Sequence, residues 1–125
     1  YYFFCITLFT IRYFFIISSY IQFICQCVIP GKKHLIMGNH DNPKFLAPFF
    51  KSMMLWKDMS DKGLLLSHTP QHASTLAETH RFGEDPILNV HGHIHSNPSP
   101  EGPYKCVCVE QTNFAPVNLE DLTSG

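Results

Sequence analysis

Three short apolar runs in this chain end the same way, in polar residues that include a histidine. Residues 35–37 (Leu, Ile, Met) run into Gly38, Asn39, His40 and Asp41. Residues 64–66, all leucine, run into Ser67, His68, Thr69 and Pro70. Residues 87–90 run into His91, Gly92, His93, Ile94 and His95. A short apolar run bounded by turn-forming residues reads as a buried strand. Gly92 is expected to release the last strand, because glycine tolerates turn conformations that other residues resist. His93 and His95 then fall on a loop. Ligand sites in α/β proteins sit at strand ends, and imidazole is the commonest metal-binding side chain. Three such ends in one small domain can converge on one site.

The residues at these ends carry distinct chemistry. Asn39 can offer its side-chain oxygen to a metal. His40 can donate a proton or hydrogen-bond an anionic oxygen, and Asp41 can hold that imidazole in one tautomer, as carboxylates do for functional histidines. The plainer alternative for residues 38–41 is a turn, since Asn and Asp favour turns. For His68 it is a satisfied loop histidine. His91, just inside its strand, reads as a buried polar residue or a support for the histidines beyond it.

Between these ends the pattern is α/β. Gly31, Lys32 and Lys33 lead by a turn into a strand over 34–37. Asn42 and Pro43 open a helix, proline being tolerated in the first turn where its missing N–H has no partner. Phe45, Leu46, Phe49 and Phe50 share one apolar face, and Pro48 should end or kink the helix. Residues 53–57 suggest a strand with Trp56 packing, and Asp61, Lys62 and Gly63 suggest a hairpin turn. The leucines at 64–66 suit a central strand buried on both faces, closed by Thr69-Pro70. Residues 71–81 have weak helical character, with His72 and His80 as surface residues and Arg81 carrying no firm meaning. A proline-rich loop over 97–103 precedes a strand over 104–110, and Phe114, Val117, Leu119 and Leu122 supply a last packing element.

With 125 residues the chain suits one small domain, and a net charge of −1 gives no sign of a nucleic-acid surface. The five cysteines include Cys106 and Cys108, at strand spacing on one face and not placed to bridge. No pair has the C-x-x-C spacing of a zinc ribbon, so reduced thiols in a cytoplasmic protein are expected. Residues 1–30 stand apart. Their single charged side chain is Arg12, and every other charge follows Pro30. Three readings stay open for this segment: a membrane anchor within residues 1–29, a buried strand or helix, or a start foreign to the domain. An arginine at the middle of a span costs about 2.5–3.5 kcal/mol, so a span over 13–29, followed by Lys32 and Lys33, is the better membrane candidate. A signal peptide fits poorly, with no basic start and no small-residue cleavage site. The first residue is Tyr1, so a removed start or a fragment is expected.

The ordered set Gly38-Asn39-His40-Asp41, Ser67-His68-Thr69-Pro70 and Gly92-His93-Ile94-His95 resembles the calcineurin-like metallophosphoesterases, from about Gly31 to the C-terminal end. The resemblance implies an α/β fold, part of an αββα sandwich of mixed sheets with flanking helices, over residues 31–125. It implies hydrolysis of phosphomonoesters or phosphodiesters, with a small molecule or a phosphoprotein as substrate, by water activated between two divalent metal ions: manganese, or iron or zinc. By position, Asn39, His68 and His93 match ligands of the second metal, and His95 matches a ligand of the first. His40 matches the residue that stabilises the transition state or protonates the leaving oxygen, with Asp41 orienting it. The family's earlier D-x-H and G-D motifs have no counterpart, because residues 1–38 contain no aspartate. One metal or none is then a possible content. The alternative to a phosphoesterase is a non-catalytic remnant or metal-binding module of the same fold, tethered to a membrane if residues 1–29 anchor it.

Overall fold

A computed structural model describes residues 6–9, 13–17, 32–78, 87–113 and 115–123, the first two stretches as backbone strands. Among the described residues, nine strands form two mixed sheets. In the first sheet, β1 (Ile6–Phe9), β2 (Tyr13–Ile17), β3 (Lys32–Ile36), β4 (Ser52–Met54) and β9 (Val117–Asn118) lie in the order β4-β3-β2-β1-β9. Only the β1–β2 pair is antiparallel. The second sheet orders β5 (Trp56–Met59), β6 (Leu64–Ser67), β7 (Leu88–His91) and β8 (Tyr104–Cys106) as β5-β6-β7-β8, with only β5–β6 antiparallel.

Alternation along the strands sorts side chains into three cores. Ile36 from the first sheet joins Leu64, Leu66 and Val90 from the second in one buried cluster, with Met59, Val107 and Leu119. Leu35 points the other way and packs with Leu46 and Phe50. Leu65, between its two inward neighbours, packs with Leu76 and Ile87. Period-two alternation requires this division. It places α1 (Pro43–Leu46) on the outer side of β3 and α2 (Ala73–Glu78) on the outer side of β6. The expected strand at 64–66, buried on both faces, is therefore observed: every residue of β6 is buried.

Asn42 caps α1, its side-chain oxygen accepting the Phe45 N–H at 3.4 Å. Pro48 lies in the 3₁₀ turn Ala47–Phe49 that ends the helix. Leu46 and Phe50 are buried as expected, but Phe45 is 47% exposed, its ring edge-on to that of Phe49. Gly63, at φ +67°, closes the 3₁₀ turn Ser60–Lys62 between β5 and β6, a left-handed position that suits glycine.

Several expectations are corrected. The strand expected over 53–57 is two strands in different sheets. Residues 52–54 pair with β3, residues from Trp56 onward pair with β6, and exposed Leu55 is the crossing. Trp56 is 63% exposed rather than packed. The strand expected over 104–110 ends at Cys106; residues 107–109 remain buried, then the chain turns as the Gln111 and Thr112 amides fold back on the Cys108 carbonyl. Cys106 and Cys108 are buried free thiols. In the N-terminal segment, 6–9 and 13–17 are strands, so the first five residues of the helical span considered over 13–29 are strand. No helix among the described residues is long and apolar enough to cross a membrane. Residues 18–30, His80, Arg81 and Phe114 lie outside the described residues.

Leu66 is fully buried between the sheets. Leu66→Ala should lower unfolding free energy by about 2–5 kcal/mol, read from denaturant midpoints; a loss below about 1 kcal/mol would mean this core is loosely packed.

Candidate metal centre

The site is built where strands of both sheets end. β6 and β7 run parallel with Ser67 opposite His91, so their following residues leave side by side. The Gly92 N–H donates to the His68 carbonyl at 2.9 Å and ties the two loops together. A buried amide sets the path of the first loop. Asn89 has no exposed surface; its Nδ2 donates to the Leu65 carbonyl (3.0 Å) and Ser67 Oγ (2.8 Å), and its Oδ1 accepts from the Gln71 N–H (2.8 Å). Ser67 Oγ in turn donates to the Thr69 carbonyl at 2.7 Å, and the Tyr104 hydroxyl donates to the Gln71 carbonyl at 2.7 Å. A buried polar group without partners would be costly; here the amide's capacity goes into fixing the backbone on either side of His68. An asparagine inside an apolar strand was the available sequence signal for this role.

His91 is buried and sits behind the loop. Its Nδ1 faces the Gly92 carbonyl at 3.0 Å. A carbonyl only accepts, so Nδ1 carries the proton and Nε2 accepts from Ser99 Oγ at 3.1 Å. Burial lowers its pKa, partly offset by the Gly92 carbonyl. His91 is thus a buried polar support, as one of its two expected roles has it. Beyond Gly92, the histidines take left-handed backbone angles: His93 has φ +69° and His95 φ +55°. Such angles are uncommon for residues with a side chain and concentrate at functional sites.

Three of the expected ligands meet. His68 Nε2 lies 2.9 Å from Asn39 Oδ1 and 3.0 Å from His93 Nδ1, and the two rings meet edge-on at 4.8 Å between centroids. One proton on His68 Nε2 can serve Asn39 or His93, not both fully. His68 Nδ1 is buried with no hydrogen-bond partner among the described residues. Burial, with His93, His40 and His95 nearby, pushes the His68 pKa down to about 4. The ring is neutral at physiological pH and keeps its lone pair. Two ligands held at right angles, each about 2.1 Å from one cation, would lie about 3 Å apart, which is the spacing found. Among the described residues no three His, Cys, Asp or Glu side chains converge to hold a metal ion; the third group here is an amide oxygen.

The other expected residues stand around this group. His40 is exposed on the loop that bears Asn39. Asp41, expected to orient His40, accepts the Gly38 N–H at 2.7 Å through Oδ2 and closes that loop, while its own N–H donates to the Gly38 carbonyl. His95 is not within hydrogen-bond distance of the triad; its Nδ1 lies 2.7 Å from Glu110 Oε1. Glu110 and Gln111, whose amide donates to the His95 and Asn97 carbonyls at 2.6 and 2.8 Å, were not expected in the site. Their one signal is position: polar residues at the end of an alternating stretch. His72 pairs with Ser74 on the surface, as expected.

Compared with known protein families and with curated proteins, the chain matches none. Among solved structures it is similar to a protein of unknown function, AQ665, from Aquifex aeolicus, at 31% identity and a TM-score of 0.50; the match covers 72% of this chain and 59% of that one. The chain thus spans less than two thirds of that protein's length.

The lowered pKa of His68 has a sign. Between pH 6.5 and about 4 the unfolded chain binds a proton at this ring that the folded chain refuses, so stability falls as pH drops through that window and levels below it. His91, lowered by burial, adds in the same direction. The denaturant midpoint should be lower at about pH 5 than at about pH 7.5, and His68→Gln should shrink that difference. The same pH dependence in the variant would contradict a neutral His68.

Proposed function

We propose that this chain carries the metal- and phosphate-handling part of a calcineurin-like metallophosphoesterase. The observation that carries this reading is the meeting of Asn39 Oδ1, His68 Nε2 and His93 Nδ1, delivered by three strand ends from two sheets. The helix, sheet, sheet, helix order of the packed layers agrees with it. A set of two imidazoles and an amide oxygen suits manganese, iron or zinc, and its spacing fits one such ion.

Asn39, His68 and His93 would hold the cation. A divalent cation there supplies Lewis-acid charge for a phosphate oxygen and lowers the pKa of bound water. His40, exposed beside this group, is placed to hydrogen-bond a phosphate oxygen or to protonate the leaving oxygen, on a loop that Asp41 closes through Gly38. His95 stands ready for a second cation position. Substrates in this reading are phosphomonoesters or phosphodiesters, on a small molecule or a phosphoprotein.

A second reading, a metal-binding module without turnover, is favoured by the absence of any aspartate in residues 1–38, which leaves no bridging carboxylate from that part of the chain. One experiment separates the two: manganese content and hydrolysis of para-nitrophenyl phosphate and its bis ester on the same sample, with His93→Ala alongside. The phosphoesterase reading expects bound manganese and hydrolysis, both lost on substitution. Bound manganese without hydrolysis would select the module. No manganese in the wild-type chain would overturn both.

A further inference from the structure

His95 is gripped at two points by the turn after β8. Glu110 Oε1 lies 2.7 Å from its ring Nδ1, and the Gln111 side-chain amide donates to its backbone carbonyl at 2.6 Å. The grip holds a residue with φ +55°, an angle that its own preferences do not favour. The contact is layered. The Glu110 side chain is 24% exposed and the His95 side chain 67%, so the carboxylate stands behind the ring and the ring faces outward. Glu110 Oε2 is buried and has no hydrogen-bond partner among the described residues. Leaving a carboxylate oxygen so placed costs stability, which a purely structural turn would avoid with a neutral residue.

The chemistry of this contact is one-sided. An ionised carboxylate only accepts hydrogen bonds, so the proton between the groups sits on Nδ1. The ring's lone pair is then on Nε2. We propose that Glu110 is a positioning residue for His95: it holds the imidazole proton on Nδ1 and makes Nε2 the atom His95 presents to a divalent cation. This rests on the metal-centre reading and extends it. A carboxylate behind a metal-binding histidine fixes the tautomer and raises the basicity of the ligating nitrogen. Here it also adds a carboxylate to a neighbourhood whose other candidate ligands, Asn39, His68 and His93, are an amide and imidazoles, and to which residues 1–38 contribute no aspartate.

The test has two arms. Nitrogen-15 NMR of the metal-free chain, with His95 assigned by its loss in His95→Ala, should show Nδ1 protonated and Nε2 bare. Glu110→Ala should move the proton to Nε2, while Glu110→Gln, whose amide oxygen can still accept from Nδ1, should keep it in part. Manganese titration should show affinity falling about 10–100-fold in Glu110→Ala and less in Glu110→Gln. In a His95→Ala background, Glu110→Ala should change affinity by less than about twofold, because its effect runs through the ring. A wild-type His95 protonated on Nε2 would overturn the proposal, as would an equal loss of affinity with His95 already removed. Failure of the wild-type chain to bind manganese would count against the metal-centre reading, and the NMR arm would still decide what Glu110 does to His95. If Glu110→Ala does not fold, the wild-type and Glu110→Gln spectra decide.

Discussion

The parallel pairing of β6 with β7 is the constraint on which the site depends. Because Ser67 stands opposite His91, the two loops start level, and the Gly92-to-His68 hydrogen bond holds them level for one residue more. A register slip of one residue would turn every side chain of β6 to the other face. Leu64 and Leu66 would leave the core between the sheets, and His68 would leave its partners. The burial of three consecutive leucines and the buried Asn89 amide therefore secure a geometry as well as a core. The third loop comes from β3 in the other sheet, so the packing of Ile36 against Leu64, Leu66 and Val90 also sets where Asn39 stands.

What this scaffold assembles is a set of electron pairs with too few protons. His68 is neutral because burial and its histidine neighbours disfavour its charge. Asn39 and His93 both turn toward the same nitrogen. Left to itself, such a group satisfies its hydrogen bonds incompletely, and His68 Nδ1, buried without a partner among the described residues, is one sign of that. A cation would meet all three electron pairs at once. The left-handed backbone at His93 and His95 fits the same picture, since strain of about 1–3 kcal/mol per residue persists only where surrounding structure holds it.

Much of this arrangement could be read from the residues, and what escaped has physical causes. The strand ends at 38–41, 67–70 and 91–95 were legible because an apolar run followed by turn-forming residues is a local signal. So was the helix start at Asn42 and Pro43. The split of residues 53–57 at Leu55 was not, because nothing local tells a strand which sheet its halves will join. The bond from the Gly38 amide to Asp41 was not foreseen, because a backbone donor three residues back leaves no mark in the residue pattern beside His40. Glu110 escaped because its partner lies fifteen positions away, across a strand pairing that sequence spacing does not reveal. Trp56 was expected to pack; it sits at the start of β5, the first strand in the order of its sheet, and is mostly exposed.

The claim at the centre of this account is that Asn39, His68 and His93 bind one cation together. X-ray absorption spectroscopy on the cobalt-loaded chain tests it most directly. The account predicts at least two imidazole ligands in the wild-type spectrum, with one lost in His68→Gln and one lost in His93→Ala. A cobalt ion surrounded by oxygen alone, or a spectrum unchanged by both substitutions, would contradict it.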